Sequence, residues 1–336
     1  SFGLLLMNDT PSSKTKAGHS TRLIGNLISW FDSESYSPDP KREHATNTVN
    51  WMRCMPFIAV HLGCLGVIWT GWSPVAIAIC LAAFWLRMFA VTAFYHRFFS
   101  HKSYKANRFW QFCFAVLGNS ASQRGPLWWA AHHRNHHKHS DEESDLHSPI
   151  AHGFWWSHVG WFMSDEGFKT DYSVIKDLAK FPELRFLNRF DSLVPVLFAI
   201  GMYMLGEYLA YALPNSGVNG LQILVWGFFI STVFLFHATF TINSLGHVWG
   251  SRRFETKDQS RNNAFLALLT LGEGWHNNHH RFAVSARQGF YWWEIDISYL
   301  ILRLLSFFRI ISDLNPVPSR ILEEGRQKRS SINVHT

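Results

Sequence analysis

The chain has 336 residues, of which 47% are hydrophobic, 16% aromatic and only 16% charged. So low a charged fraction, against about 25% in ordinary soluble proteins, excludes a purely soluble globular protein. It points to a membrane protein with a substantial water-facing part. The net charge of +7 comes with no zinc-finger, RNP or basic-helix pattern; it excludes nucleic acid as the expected partner and leaves basic cytoplasmic loops as the reading.

Residues 1–50 are polar and read as a largely irregular cytoplasmic lead-in. Four apolar spans follow, at about 52–72, 74–95, 191–213 and 221–242, each close to the roughly 20 residues that cross a bilayer as a helix. The connections "TGWS" and "PNSGVNG" carry no charge, whereas Arg53, Arg97, Lys102, Lys105, Arg108, Arg252 and Arg253 sit at the opposite ends. Both termini and residues 96–190 are therefore expected in the cytoplasm. Arg87 lies deep in the second span, where a charge costs about 2.5–3.5 kcal/mol on insertion scales, and must snorkel or find partners inside the bundle. Two interrupted apolar stretches, 108–131 and 288–311, read as helices lying in the interface. The domain reading is 51–315 for the membrane unit and 316–336 for a C-terminal tail. Cys54, Cys64, Cys80 and Cys113 form no CxxC pair and give neither a disulfide framework nor a thiolate metal site.

The fold class that follows is all-α and integral to the membrane. Four transmembrane helices in two hairpins carry a cytoplasmic helical cap, and the histidine clusters all fall on that one side. "HRFFSH" supplies His96 and His101, "HHRNHH" supplies His133, His136 and His137, "HNNHH" supplies His276, His279 and His280, and "NSLGH" supplies Asn243 and His247. Spacings of three and four put helix side chains on one face, so each set can aim several ring nitrogens at one place. His96 and His101, five apart, are expected to spread around a helix or to leave it between them. Nine imidazoles exceed the four to six positions of one ion and suit two metals sharing a site; imidazole accommodates iron, zinc, copper and nickel alike.

The three-box pattern HxxxxH, HxxHH and HxxHH, with NSxxH before the last box, resembles the integral-membrane fatty-acyl desaturases of the stearoyl-CoA desaturase type. The resemblance spans roughly residues 50–315 and includes "HRFFSHKSYKA", "SHVGW" and "GEGWHNNHH"; after the third box, "RFAVSARQGFYWWEID" is similar to bacterial members. It implies a centre of two non-haem iron ions with O2 as co-substrate. The ligands it implies are His96, His101, His133, His136, His137, His247, His276, His279 and His280, with Asn243 acting through a bound water. His132, His139, His147, His152 and His158 fall outside the boxes. Animal members contact CoA through an Arg-Asp pair and a later Arg pair; here those positions read Ala131, His132 and "IAHG" at 150–153. A phospholipid-bound or carrier-bound chain therefore stands beside acyl-CoA as the expected substrate.

The implied activity is O2-dependent insertion of a cis double bond into a saturated long acyl chain, in the bilayer of a bacterial inner membrane. Glu273, Asp141 and Asp145 are candidates to orient ligand rings. Trp128, Trp129, Trp155, Trp156 and Trp161 are candidates to line an acyl tunnel. No HPGG motif or cysteine cluster is present, so electrons are expected from a separate donor, a ferredoxin or cytochrome b5 with its reductase. Two other functions remain open at this point: an acyl-chain or alkane hydroxylase of the same fold, and a metal-handling membrane protein.

Overall fold

The computed structural model describes residues 24–25, 27–35 and 48–334. The expected lead-in therefore lies mostly outside the described residues. Its described part is not irregular: residues 27–28 are helical and Ser33–Ser35 form a 3-10 turn.

Four helices are long and apolar enough to cross a membrane: α1 (Trp51–Thr70), α2 (Pro74–Ser100), and, further along, Leu193–Ala212 and Gly220–His247. Asn50 starts α1, its side chain accepting from Arg53 N–H, and Ser73 with Pro74 at the first turn starts α2. Such caps satisfy backbone N–H groups that a helix start leaves open. Between the two pairs lie α3 (Arg108–Asn119), α4 (Pro126–His139) and α5 (Pro182–Arg189). The remaining spans are α6 (Leu193–Ala212) and α7 (Gly220–His247), followed by α8 (His276–Arg281), α9 (Ile297–Phe307) and α10 (Ser319–Val334). The only sheet among the described residues is a two-residue antiparallel pair, Lys105–Ala106 with Ile311–Ser312, which ties the end of α2 to the segment after α9.

α1 and α6 are largely exposed, as lipid-facing helices are, whereas α2 and α7 are the more buried pair. The core packs Phe84, Met88, Phe94, Tyr95 and Phe99 of α2 against Phe114, Leu127, Leu184, Leu235 and Leu302. The second and fourth spans run beyond the expected ends, 95 and 242, to Ser100 and His247. The hydrophobic pattern stops at the bilayer, but the helices do not. They continue into the polar cap and carry His96, Asn243 and His247 with them.

Neither interfacial stretch is one helix. The 108–131 segment breaks at residues 120–125, where Ser122 and Arg124 take positive φ angles of 60° and 67°. In 288–311 only Ile297–Phe307 is helical, because Asp296 caps the helix there by accepting from Tyr299 N–H at 3.0 Å. Arg87 finds its partners inside the bundle. Its guanidinium donates to the carbonyls of Ala83 and Ser120 and to the hydroxyls of Ser231 and Thr232, and lies 4.7 Å over the Phe198 ring.

Candidate metal centre

Two groups of imidazoles meet where α2, α4, α7 and α8 converge. His96, His101, His133, His137 and His279 form one, and His136, His247, His276 and His280 the other; within each group the ring nitrogens all lie within 4.8 Å of one another. In the first, Nε2 of His96 is 3.0 Å from Nε2 of His279, Nε2 of His101 is 2.7 Å from that of His133, and Nε2 of His137 is 2.9 Å from that of His279. In the second, Nε2 of His247 and His276 are 3.1 Å apart. The groups are adjacent: the stacked rings of His137 and His280 lie 4.4 Å apart.

The i, i+3, i+4 spacing aims each box at both groups rather than at one. α4 sends His133 and His137 to the first group and His136 to the second, and α8 sends His279 to the first and His276 and His280 to the second. Gly246 lets α8 come this close, since a Cβ there would stand 3.2 Å from the His276 ring. Asn277 and Asn278 anchor α8 from its other side. Asn277 accepts from the backbone N–H groups of Arg253 and Phe254, and Asn278 donates to Glu294.

Four carboxylates hold the far nitrogens. Nδ1 of His96 bonds Glu273, Nδ1 of His136 lies 2.8 Å from Asp145, Nδ1 of His247 lies 3.0 Å from Asp141, and Nδ1 of His280 lies 2.7 Å from Asp258. A ring whose Nδ1–H is taken by a carboxylate presents the Nε2 lone pair to the site, the arrangement that orients metal-binding histidines. Glu273, Asp141 and Asp145 are the acids named from sequence. Asp258 is a fourth, in a polar loop 22 residues from its partner, and nothing in the sequence singles it out. His147, outside the boxes, is buried 4.2 Å from the His136 ring and beside Asp145.

Burial pushes His101, His133, His137, His276 and His279 well below the usual imidazole range, and neighbouring rings add to this. Burial likewise takes His280 down to about 4 against the pull of Asp258. Burial alone would raise Asp141, but its bonds with His247 hold it at about 2. His136 is the exception: burial would lower it, and Asp145 raises it. Neutral rings can bind a metal with no proton to displace. Nε2 of His280 is buried with no hydrogen-bond partner, and an unpartnered lone pair among facing imidazoles is the condition a cation relieves. The donor set fits two borderline metal ions.

A cavity of about 50 Å³ lies against both groups, lined by His96, His133, His136, His276 and Asn243. Beside it is an apolar cavity of about 520 Å³. Trp129, His133, Thr239 and Asn243 line both, so the two adjoin there. Of the five tryptophans expected along a tunnel, Trp128, Trp129 and Trp161 line the larger cavity. Trp155 and Trp156 do not. Trp155 is exposed, and Trp156 donates its indole N–H to the Leu146 carbonyl. His132 also lines the larger cavity and bonds the Lys169 carbonyl at 2.9 Å, while His139, His152 and His158 bond elsewhere.

The family model for fatty acid desaturase matches residues 70–303. The chain is 38% identical over 266 residues to an acyl-CoA 5-desaturase of Anemone leveillei, covering 78% of each chain. It is 33% identical over 276 residues to an sn-1 stearoyl-lipid 9-desaturase of Anabaena variabilis, covering 80% of this chain and 96% of that one. Over 246 residues it is 34% identical to a chloroplastic palmitoyl-monogalactosyldiacylglycerol delta-7 desaturase of Arabidopsis thaliana, covering 72% of this chain and 62% of the other.

Proposed function

The chain belongs to the fatty acid desaturase family, and from that premise we propose that it introduces a cis double bond into a saturated long acyl chain. The ligands proposed are the nine facing histidines, five to one iron ion and four to the other, with Asn243 holding a water. A pair of reduced irons supplies the means to activate O2 for removing hydrogen from an unactivated methylene pair. The balance is one saturated chain, O2, two electrons and two protons in, and one unsaturated chain and two waters out.

The protein's own share is positional. Glu273, Asp145, Asp141 and Asp258 fix four rings through Nδ1, which keeps the Nε2 lone pairs aimed inward while the ions change charge. The apolar cavity takes the acyl tail, and Phe57, Phe236, Phe240, Trp128 and Trp161 on its walls exclude water from the reacting carbons. Trp129, His133, Thr239 and Asn243, shared by the two cavities, mark where the chain meets the centre. That adjacency of an apolar chain-sized cavity and two imidazole groups is the observation that carries the reading.

The orientation proposed puts the cap and both termini in the cytoplasm of a multi-pass protein of a bacterial inner membrane, since the charge-free connections lie at the other end. Electrons come from a separate donor, a ferredoxin or cytochrome b5 with its reductase, drawn by the basic surface. The acyl chain is lipid-bound or carrier-bound in preference to CoA-bound: Ala131 is buried and uncharged, and residues 150–153 offer no arginine.

Mass spectrometry of lipids from cells expressing the wild type or His133→Ala tests the function. A new monounsaturated chain in the first and none in the second is expected. Hydroxylated chains in place of alkenes would make the protein a hydroxylase, and an unchanged lipid profile would overturn the reading.

A further inference from the structure

The loop between α3 and α4 holds an arginine in a costly conformation. Arg124 has φ 67°, in the left-handed region where a residue with a Cβ is uncommon and held only by its surroundings. Its carbonyl is pinned twice, by the Tyr95 hydroxyl at 3.0 Å and the Asn119 amide at 3.1 Å. Its guanidinium is fixed as firmly. Nε donates to Asp191 Oδ2 at 2.6 Å, and the plane lies 5.1 Å from the Trp128 ring and 5.5 Å from that of Phe168. Asp191 is itself held, its carbonyl accepting from Asn119 at 3.0 Å.

Nη2 reaches the Phe168 carbonyl at 3.5 Å, and one nitrogen is left over. Nη1 of Arg124 is buried and has no hydrogen-bond partner, although a buried polar group without a partner costs about 1–3 kcal/mol. Arg124, Asp191, Trp128 and Phe168 all line the 520 Å³ apolar cavity. An acyl chain filling that cavity brings one polar group with it, the carboxyl-derived end.

We propose that Arg124, held by Asp191, is the anchor for the carbonyl oxygen of the acyl ester or thioester, donating to it from Nη1 and so setting which methylenes reach the centre. This rests on the desaturase reading for its consequence, but not for the binding itself. The charge balance selects the ligand. Arg124 and Asp191 together are net neutral, so the spare N–H suits a neutral acceptor, whereas a phosphate would bring an uncompensated charge. The placement suits a mid-chain reaction. α4 begins two residues after Arg124 and carries His133 two turns on, roughly 10 Å along the axis. Several methylenes therefore separate the anchored carbonyl from the metal groups.

Equilibrium binding of radiolabelled methyl stearate and of octadecane to the purified full chain tests the anchor without turnover. Wild type is expected to prefer the ester by about tenfold, the worth of a charge-assisted hydrogen bond. Arg124→Gln should lose that preference and Asp191→Asn should lose part of it. With stearoyl-CoA and with distearoyl phosphatidylglycerol vesicles as substrates, Arg124→Gln should raise KM about tenfold in both and spread the double bond over neighbouring positions. Arg124→Lys, which keeps a cation but not the fork, should fall between. An ester preference unchanged in Arg124→Gln and Asp191→Asn would overturn the proposal, as would a KM effect confined to one head group. A wild type that binds the ester through Arg124 yet forms no double bond would refute the desaturase reading and leave the anchor standing.

Discussion

His96, near the end of α2, and His101, the residue just past it, lie with their rings 4.8 Å apart although five residues separate them. The end of α2, Ala90–Ser100, is wound as a π-helix, and the His101 N–H bonds the His96 carbonyl at 3.2 Å. In an α-helix a step of five rotates a side chain well away from its predecessor; in i→i+5 winding it returns to the same side. The expectation that the pair spreads around the helix is thereby corrected, while the alternative, that the chain leaves the helix between them, holds: α2 stops at Ser100. Both rings belong to the first imidazole group.

The two groups predict separable losses of metal. Protein from iron-sufficient cells should carry about two irons per chain, as the donor count suits. His101→Ala, in the group of five, and His276→Ala, in the group of four, should each lower this to about one. Elemental analysis of the three proteins checks it. One iron in the wild type, or complete loss in both variants, would contradict two distinct positions.

Asp258 gives a second prediction. It is buried; its Oδ2 bonds Nδ1 of His280, and its Oδ1 accepts from the Thr256 hydroxyl and the Ser260 N–H, bonds that an amide oxygen can keep, so Asp258→Asn should leave the fold intact while loosening His280. Removing such an orienting group costs about 10–100-fold in metal affinity. A chelator titration followed by iron analysis should show the loss. Chelation resistance equal to wild type would mean that the bond does not steer the ring.

How far the sequence reaches is seen at particular residues. The α4 and α8 boxes are legible because three- and four-residue spacings encode a helix face directly. The split of each box between two groups is not, since it depends on how four helices cross. The π-winding of α2 leaves no trace in residue types: it is a choice of backbone hydrogen-bond partner. Asp258 is hidden because a loop brings it to His280 without periodicity. Trp155 and Trp156 mislead for a different reason. Tryptophan is equally at home on a membrane interface and on a cavity wall, so composition alone cannot sort exposed Trp155 from cavity-lining Trp129.

Topology is open to labelling. Asn215, in the uncharged connection between α6 and α7, and Glu142, just past α4, are both exposed and should lie on opposite sides of the membrane. Ser140, two residues earlier, is buried and would label poorly. Single cysteines at 215 and 142, in a background with Cys54, Cys64, Cys80 and Cys113 replaced, should react with an impermeant reagent from opposite faces. Reaction from the same face would rule out four crossings.

Asn243 offers the sharpest separation of binding from turnover. It lines both the 50 Å³ cavity and the 520 Å³ apolar cavity, and stands one helical turn before His247 at the end of α7. A cavity of that size has room for water, and its polar lining can hold one. An amide binds iron poorly beside imidazole, but it can retain a water in a position that O2 must later take, and such a position has to stay open. Asn243→Ala should therefore keep most of the iron and lose most of the turnover. His247→Ala should lower both, since it removes one of four rings in its group and leaves Asp141 without that partner. Iron content and product formation measured together on the two variants distinguish a water-holding role from a ligand role. Full activity in Asn243→Ala would exclude the water, and iron loss equal to that of His247→Ala would make Asn243 part of the direct donor set instead.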